Sequence, residues 1–288
     1  MENNVFPWIG STPIAEVTAP DLLTVIRRVE ARGAIETAHT VMQQCGQVFR
    51  YGIATGRSER NPVPDLRGAL KPVIVTHMAA VTDPNEAGTL MRSIADYQGH
   101  PVTRAALVLS ALVFQRPGNV RAAEWSEIDL DAAMWTVPSD KVKRTVQAKI
   151  SGRPHLIPLA TQAVAELSEI RKLTGHGRYV FPSLLTGERC MSENTINTAL
   201  RRMGYSKADM TAHGFRAMAR TLLVEKLNVN PEVIEAQLAH SKSGPLGAAY
   251  DRAEFMEQRR AMMQTWSNYL VWLRDGARDP GRVRPARG

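Results

Sequence analysis

The sequence is poor in cysteine, with only Cys45 and Cys190 among its 288 residues. Two cysteines so far apart cannot build a disulfide framework, and their spacing is not that of a zinc site. This usage is typical of a reducing compartment, so we expect a cytoplasmic protein. The first residues also lack a basic start followed by an apolar stretch, and no signal peptide is predicted.

Long apolar runs are missing as well. The longest, 105–114, is interrupted only by Ser110 and is too short to cross a bilayer. We therefore expect no membrane partner. Hydrophobic residues still make up 44% of the chain, which is enough for a sizeable core, and the length suits two folded domains.

Negative charge is in deficit. The chain has 36 lysines and arginines against 28 acidic residues, a formal net charge of +8. Such an excess favours a polyanionic partner such as the phosphate backbone of nucleic acid, although many basic proteins bind none. Six arginines surround the first predicted helices, and taken alone they are most simply a solvated face: Arg27, Arg28, Arg32, Arg50, Arg57 and Arg60.

Apolar residues at helical spacing predict a small helical unit in residues 1–72. One helix begins with the capping sequence 18–21 and stops at Gly33. A longer helix ends at Gly56 and is expected to bury one face, formed by Ala38, Val41, Met42, Cys45, Val48, Phe49 and Ile53. The prolines after Asn61 break the pattern, and a linker is predicted from there to about residue 77.

The larger region, 73–275, is predicted to combine helices with strands. A capped helix opens after Asp83, and 105–114 is a buried helix. The strand candidates are 134–137, 155–159 and 179–181, and the later helices are 192–202, 215–227, 231–238 and 254–273. The tail 276–288, rich in Gly, Pro and Arg, is predicted to be disordered. The expected fold class is therefore mainly α with a small antiparallel β-sheet.

Four segments of the larger region resemble motifs of the tyrosine recombinases, especially the integrases of satellite phages and genomic islands. They are QRPGNVRAAEWSEIDLD, TAHGFRAMARTLL, IEAQLAHSKSG and AAYDRAEFMEQRRAMM. The first region, with FPWIGSTPIAEVTAPDLL, resembles the core-DNA-binding domain of that group. The resemblance covers about residues 5 to 275, with its segments in the family's order. It implies a helical core-binding domain, 1–72, and a mixed α+β catalytic domain, 73–275, and it strengthens a DNA-binding role for the first domain's arginines.

Three basic residues match the family's phosphate-binding positions. Arg116 corresponds to the first arginine, because counting back from Trp125 selects it over Arg121. His213 and Arg216 match the family's His-x-x-Arg. Cleavage of a phosphodiester builds negative charge on two non-bridging oxygens, and arginine binds such oxygens in pairs while staying protonated. One departure is Asn119, where the family often has an acid.

The resemblance also assigns a nucleophile. His240 falls where the family places a further phosphate donor, and Tyr250 follows it by the family's ten residues. A tyrosine with a pKa of about 10 needs nearby positive charge or a base to attack at neutral pH, and His213 could accept its proton. Tyr205 and Tyr269 do not follow the histidine motif.

The general acid that protonates the leaving oxygen is a lysine on a β-turn in the family. Counting forward from 138–140 selects Lys143, whereas counting backward from 155–159 selects Lys149. The turn is longer than usual in this chain, so both lysines remain candidates. We prefer Lys143.

The implied reaction is cleavage and religation of double-stranded DNA through a 3′-phosphotyrosyl intermediate, with no cofactor and no metal. The implied partners are attachment-site DNA and accessory DNA-bending proteins, with a monomer in solution and a homotetramer on DNA. A type IB topoisomerase and a catalytically inactive DNA-binding protein are the alternatives. Because the core-binding pattern starts close to Met1, we also expect that a further N-terminal arm-binding module has been lost by truncation.

Overall fold

The structure, a computed structural model, describes residues 1–73, 78–142, 152–239 and 255–276. Four functional predictions lie outside these residues, namely Lys143, Lys149, His240 and Tyr250, and so does the predicted tail apart from Gly276. The chain divides into two units, 1–77 and 78–288, and each is described by itself. Among the described residues, no helix is both long and apolar enough to cross a membrane.

The first unit is helical, with α1 at Phe6–Ile9, α2 at Ala19–Ala31 and α3 at Ile35–Ala54. The predicted start of α2 is confirmed, because Thr18 and Asp21 form a capping box. The Thr18 amide donates to Asp21 Oδ2 at 2.9 Å, and the Asp21 amide donates to Thr18 Oγ1 at 3.4 Å. The two long helices pack on each other around a core that includes Leu22, Ile26, Val41 and Phe49.

Two expectations for this unit are corrected. Val48 and Ile53 of α3 are 44% and 42% exposed, because α2 and the 3₁₀ turn Val63–Leu66 cover only one stripe of that helix. The stretch expected to be a linker is also partly packed, since Leu66 and Leu70 lie buried in the core of the first unit. Residues 61–70 therefore belong to that unit.

The second unit is mostly helical. Its helices are α4 at Pro84–Ala95, α5 at Pro101–Val113, α6 at Pro117–Arg121, α7 at Thr161–Thr174, α8 at Thr195–Arg202, α9 at Gly214–Glu225, α10 at Pro231–Gln237 and α11 at Met256–Arg274. Helix α7 was not predicted from the sequence, although its buried positions Ala163, Leu167 and Ile170 follow helical spacing.

A three-stranded antiparallel sheet completes the second unit. Its strands are β1 at Ile128–Asp129, β2 at Met134–Val137 and β3 at His155–Pro158, in the order β1-β2-β3. Trp135 pairs with Ile128 on one side and Ile157 on the other. The prediction of a strand at 179–181 was wrong, because Tyr179 makes only an isolated bridge to Glu124. The short β1 is the third strand instead.

The core of the second unit forms around α5, whose faces are nearly all buried, as its apolar sequence predicts. Helices α4, α7, α8, α9 and α11 contact it. The last helix, α11, packs most extensively on α4 and also touches α10 and β3. The predicted fold class, mainly α with a small antiparallel sheet, is confirmed.

Candidate active site

Arg116 lies at a sharp turn between α5 and α6. The turn is made by Phe114, which caps α5 in the left-handed conformation at φ 40°. Its buried ring meets Trp266 edge to face, with centroids 6.1 Å apart. That packing holds a backbone conformation that is unfavourable for a bulky residue, and it places Arg116 as the N-cap of α6.

Arg216 lies in the first turn of α9 and is only 3% exposed. Its Nη1 donates to the Phe114 carbonyl at 3.1 Å and its Nη2 to the Leu238 carbonyl at 2.9 Å. Burial lowers the pKa of Arg216 to about 10, and the positive charge of Arg116 acts in the same direction, whereas Glu235 opposes both. The guanidinium therefore stays protonated at neutral pH.

The two arginines meet at the end of α10. The Nη2 of Arg116 donates to the Ala239 carbonyl at 3.4 Å, next to the Leu238 carbonyl that Arg216 contacts. Ala239 is itself left-handed, at φ 50°. The structure thus brings two predicted site residues from distant parts of the chain together, directly before the position of His240.

Two residues that adjoin the arginine pair, Phe114 and Ala239, have a left-handed backbone. Among the described residues, five that are not glycine have positive φ, and three of them are Phe114, Ala239 and Phe255. The first two precede predicted site residues, and Phe255 comes five residues after Tyr250. Such conformations persist only where the surrounding structure holds them, and they cluster at functional sites.

His213 is the N-cap of α9, one turn before Arg216. The two side chains differ in environment, because His213 is exposed whereas Arg216 is buried. The imidazole is therefore accessible from solvent, whereas the guanidinium is held by backbone carbonyls.

The rival residues are engaged in other contacts. Arg121 Nη1 donates to the Met191 carbonyl at 2.8 Å and contacts the Cys190 sulfur at 2.9 Å. The Tyr205 hydroxyl lies 3.3 Å from Ser93 Oγ. Tyr269 stacks on Trp272 with ring centroids 5.8 Å apart, and burial raises the pKa of Tyr269. Each of these three side chains thus makes contacts within the second unit that are separate from the arginine pair.

An ion-pair cluster anchors the chain just before the two candidate lysines. Lys141 Nζ contacts Glu127 and lies 2.6 Å from Glu124 Oε1, and Arg178 binds Glu124 as well. The hydrogen bonds from Arg178 and Lys141 lower the pKa of Glu124 to about 2. Val142, the next residue, is fully buried. Ion pairs of Lys141 and burial of Val142 therefore hold the chain in place up to the residue before Lys143.

Sequence reasoning missed a buried polar group at the end of α10. Gln237 is fully buried, and its side chain accepts a hydrogen bond from Arg259. Its carbonyl is bound by Gln115 and His155. A polar residue at a helical position that should face the core was the available signal. Among the described residues, no group of three or more His, Cys, Asp or Glu side chains could hold a metal ion.

Two family models match the chain. Residues 1–69 match the phage integrase central domain, and residues 80–256 match the phage integrase family. The chain is 36% identical over 277 residues to the putative protein IntB of Escherichia coli (strain K12), covering 94% of this chain and 70% of that protein. It is 35% identical over 277 residues to the integrase of Enterobacteria phage P4, covering 94% of this chain and 63% of that integrase.

Solved structures share the fold. A lambda integrase dimer bound to a core site superposes with a TM-score of 0.63 at 19% identity, covering 83% of this chain and 85% of that one. The Tn1549 transposon integrase in complex with circular intermediate DNA gives a TM-score of 0.61 at 14% identity, covering 88% and 87%. These likenesses extend across most of the chain.

Proposed function

Because the chain belongs to the phage integrase family, we propose that it is a site-specific DNA recombinase that cleaves and rejoins DNA during integration or excision of a mobile element. The observation that carries this proposal is the meeting of Arg116 and Arg216 directly before His240. Two guanidinium groups held at one place are what a phosphodiester needs as negative charge builds on its oxygens.

In the proposed reaction, the hydroxyl oxygen of Tyr250 attacks the scissile phosphorus. A 3′-phosphotyrosyl bond forms as the bond to the 5′-oxygen breaks. His213 accepts the tyrosine proton, and Lys143, or Lys149 as the alternative, protonates the leaving 5′-oxygen. Attack by a 5′-hydroxyl on the phosphotyrosine reverses these steps, so the bond energy is kept and no nucleotide cofactor is consumed.

The arginines would act as fixed charges. A buried guanidinium stabilises a transition state strongly because little water screens it, and the carbonyls that hold Arg216 fix its direction before substrate arrives. Arg116 and His240 would complete the set of donors around the phosphate. No step in this scheme calls for a metal ion, since guanidinium groups supply the positive charge.

The partner we propose is double-stranded DNA carrying an attachment site. The charge of +8 and the exposed arginines of the first unit support this, since a basic surface attracts the phosphate backbone. We also propose a homotetramer on DNA, a monomer in solution and accessory DNA-bending proteins. Solved lambda integrase structures include a dimer on a core site and a tetramer on a Holliday junction, which supports assembly on DNA for that protein.

The first test is Tyr250→Phe with a nicked suicide substrate. We expect the wild-type chain to form a covalent adduct on a denaturing gel and the variant to form none. Binding should stay nearly unchanged, because affinity rests mainly on phosphate contacts rather than on one hydroxyl.

Tyr205→Phe is the matched control and should form the adduct normally. An adduct with Tyr250→Phe would reject this nucleophile. Relaxation of supercoiled plasmid without a specific site would favour a type IB topoisomerase, and site binding without any wild-type adduct would favour an inactive DNA-binding protein.

A further inference from the structure

We propose that Gln237 is a positioning residue which, together with Gln115, His155 and Arg259, holds the end of α10 where Arg116 and Arg216 can both reach it. These four residues are the Gln237 cluster. The proposal rests on the proposed recombinase function and extends it to residues that touch neither the substrate nor the reacting atoms.

The Gln237 cluster is joined by short hydrogen bonds in a buried place. Gln237 Oε1 accepts from Arg259 Nε at 2.8 Å. The Gln237 carbonyl accepts from Gln115 Nε2 at 2.8 Å and from His155 Nε2 at 3.0 Å, so the imidazole proton is on Nε2. All four side chains are at most 6% exposed.

Each member comes from an element that carries or borders a proposed catalytic residue. Gln115 directly precedes the first arginine, and His155 opens β3, which follows the stretch with both candidate lysines. Arg259 lies in α11, nine residues after the proposed nucleophile, and it also contacts the Leu156 carbonyl of β3. Among the described residues, the cluster thus connects the turn between α5 and α6 with β3, α10 and α11.

Side chains bind three successive carbonyls at the end of α10. The Gln237 carbonyl is bound by Gln115 and His155, the next one by Arg216 and the third by Arg116. Carbonyls at a helix end have no partner within the helix, so these contacts satisfy them and fix their positions. Arg216 binds one of these carbonyls and Arg116 binds the next. A displaced helix end would therefore misplace both guanidinium groups.

Packing alone does not explain the glutamines. Among the described residues, Gln115 Oε1 and Gln237 Nε2 have no hydrogen-bond partner although both are buried. A buried polar atom without a partner costs free energy that an apolar side chain of the same size would avoid. An apolar side chain could not donate to the Gln237 carbonyl as Gln115 does, or accept from Arg259 as Gln237 does.

The decisive variant replaces Gln237→Leu and Arg259→Met together. Removing both side chains together leaves neither partner of their mutual hydrogen bond unsatisfied, so we expect the fold to be retained. We expect single-turnover cleavage of the suicide substrate at saturating protein to slow by about 10- to 100-fold, since small misplacements of catalytic groups have effects of this size. The Kd for core-site DNA should change by far less than the cleavage rate, because affinity rests on many phosphate contacts and the two arginines supply only part of them.

Two further measurements separate positioning from a general loss of structure. Gln237→Glu keeps an acceptor for Arg259 and should cleave at near the wild-type rate. A substrate with a 5′-thiol leaving group should not rescue the double variant, because its defect lies in the arginines rather than in leaving-group protonation.

The matched control replaces Arg104→Met and Glu166→Leu, an ion pair of 3.1 Å between α5 and α7 in the same unit. It should leave cleavage unchanged. Slowing of the control by as much as the Gln237 double variant would overturn the proposal, and so would wild-type cleavage by a folded double variant. If the wild-type chain forms no adduct, the proposed function itself fails.

If the double variant does not fold, Gln115→Met tests the same proposal. This change removes one donor to the Gln237 carbonyl, together with the unpartnered acceptor, and leaves no charge behind. We expect cleavage about tenfold slower with an unchanged melting temperature. Cleavage at the wild-type rate would overturn the proposal.

Discussion

Arg216 holds a full positive charge in a position that is 3% exposed. Burying a charge is costly, and the cost is reduced by the two carbonyls that its guanidinium binds. Glu235 favours the charged form, while the nearby Arg116 disfavours it. Two like charges kept close together are a strained arrangement in the free protein. In the proposed reaction, a phosphate bound by both arginines would relieve that repulsion.

At the same scale, a leaving-group substitution decides between the two candidate lysines. We expect Lys143→Ala to slow cleavage of an ordinary substrate by about 10²- to 10⁴-fold, the usual size of general acid catalysis. A 5′-thiol leaves without being protonated, so that substrate should largely restore the rate of this variant.

Lys149→Ala serves as the paired control for the lysine assignment. It should cleave both substrates at close to the wild-type rate. Thiol rescue of Lys149→Ala, with little effect of Lys143→Ala, would move the general acid to Lys149.

At the scale of elements, α11 holds its place on α4 through close backbone contact. A Cβ built on Gly88 of α4 would lie 2.5 Å from the Leu273 carbonyl oxygen of α11. Arg92 of α4 also donates to this carbonyl, at 3.1 Å. This contact fixes the C-terminal end of α11 on α4.

Gly88→Ala should therefore destabilise the second unit by about 1–3 kcal/mol, the usual cost of forcing extra volume into a packed interface. Gly118→Ala is the control, because a Cβ there meets no atom within 4 Å. The control should be neutral or stabilising by up to about 1 kcal/mol. Urea unfolding measures both, and equal stability of the two variants would contradict the close contact.

At the scale of the whole molecule, the arginines behind the net charge of +8 differ in whether an acidic side chain balances their charge. On the first unit, Arg60 pairs with Asp65, so its charge is already balanced. Arg50 is exposed on α3, and no acidic side chain among the described residues forms an ion pair with it. Residues of the same type thus differ in how much charge they can offer to DNA.

The salt dependence of DNA binding tests this difference. Each phosphate contact makes the slope of log K against log salt steeper by about 0.9. Removing one such contact with Arg50→Gln should therefore make the slope shallower by close to one. Arg60→Gln should reduce it much less. Titrations of core-site DNA at several salt concentrations measure both slopes, and equal reductions would show that the Arg60–Asp65 pair does not matter for binding.

Features that depend on neighbours in the chain were predictable from the sequence. The caps before α2 and α4 and the strand at 134–137 involve residues within a few positions of one another, and the structure has them where they were predicted. The order and spacing of the motifs likewise led to the integrase family, which the family models confirm. Arg116 and Arg216 were selected because they match the motifs of that family.

Only the tertiary structure decided which residues are covered and which distant residues meet. Val48 and Ile53 fit a helical stripe, yet they are exposed because the neighbouring elements cover a narrower face. The two-residue β1 is too short to show a periodic pattern and exists because β2 offers it an edge. The Gln237 cluster joins residues 22 to 122 positions apart. Such contacts depend on the packing of the whole unit, so a local sequence pattern does not predict them.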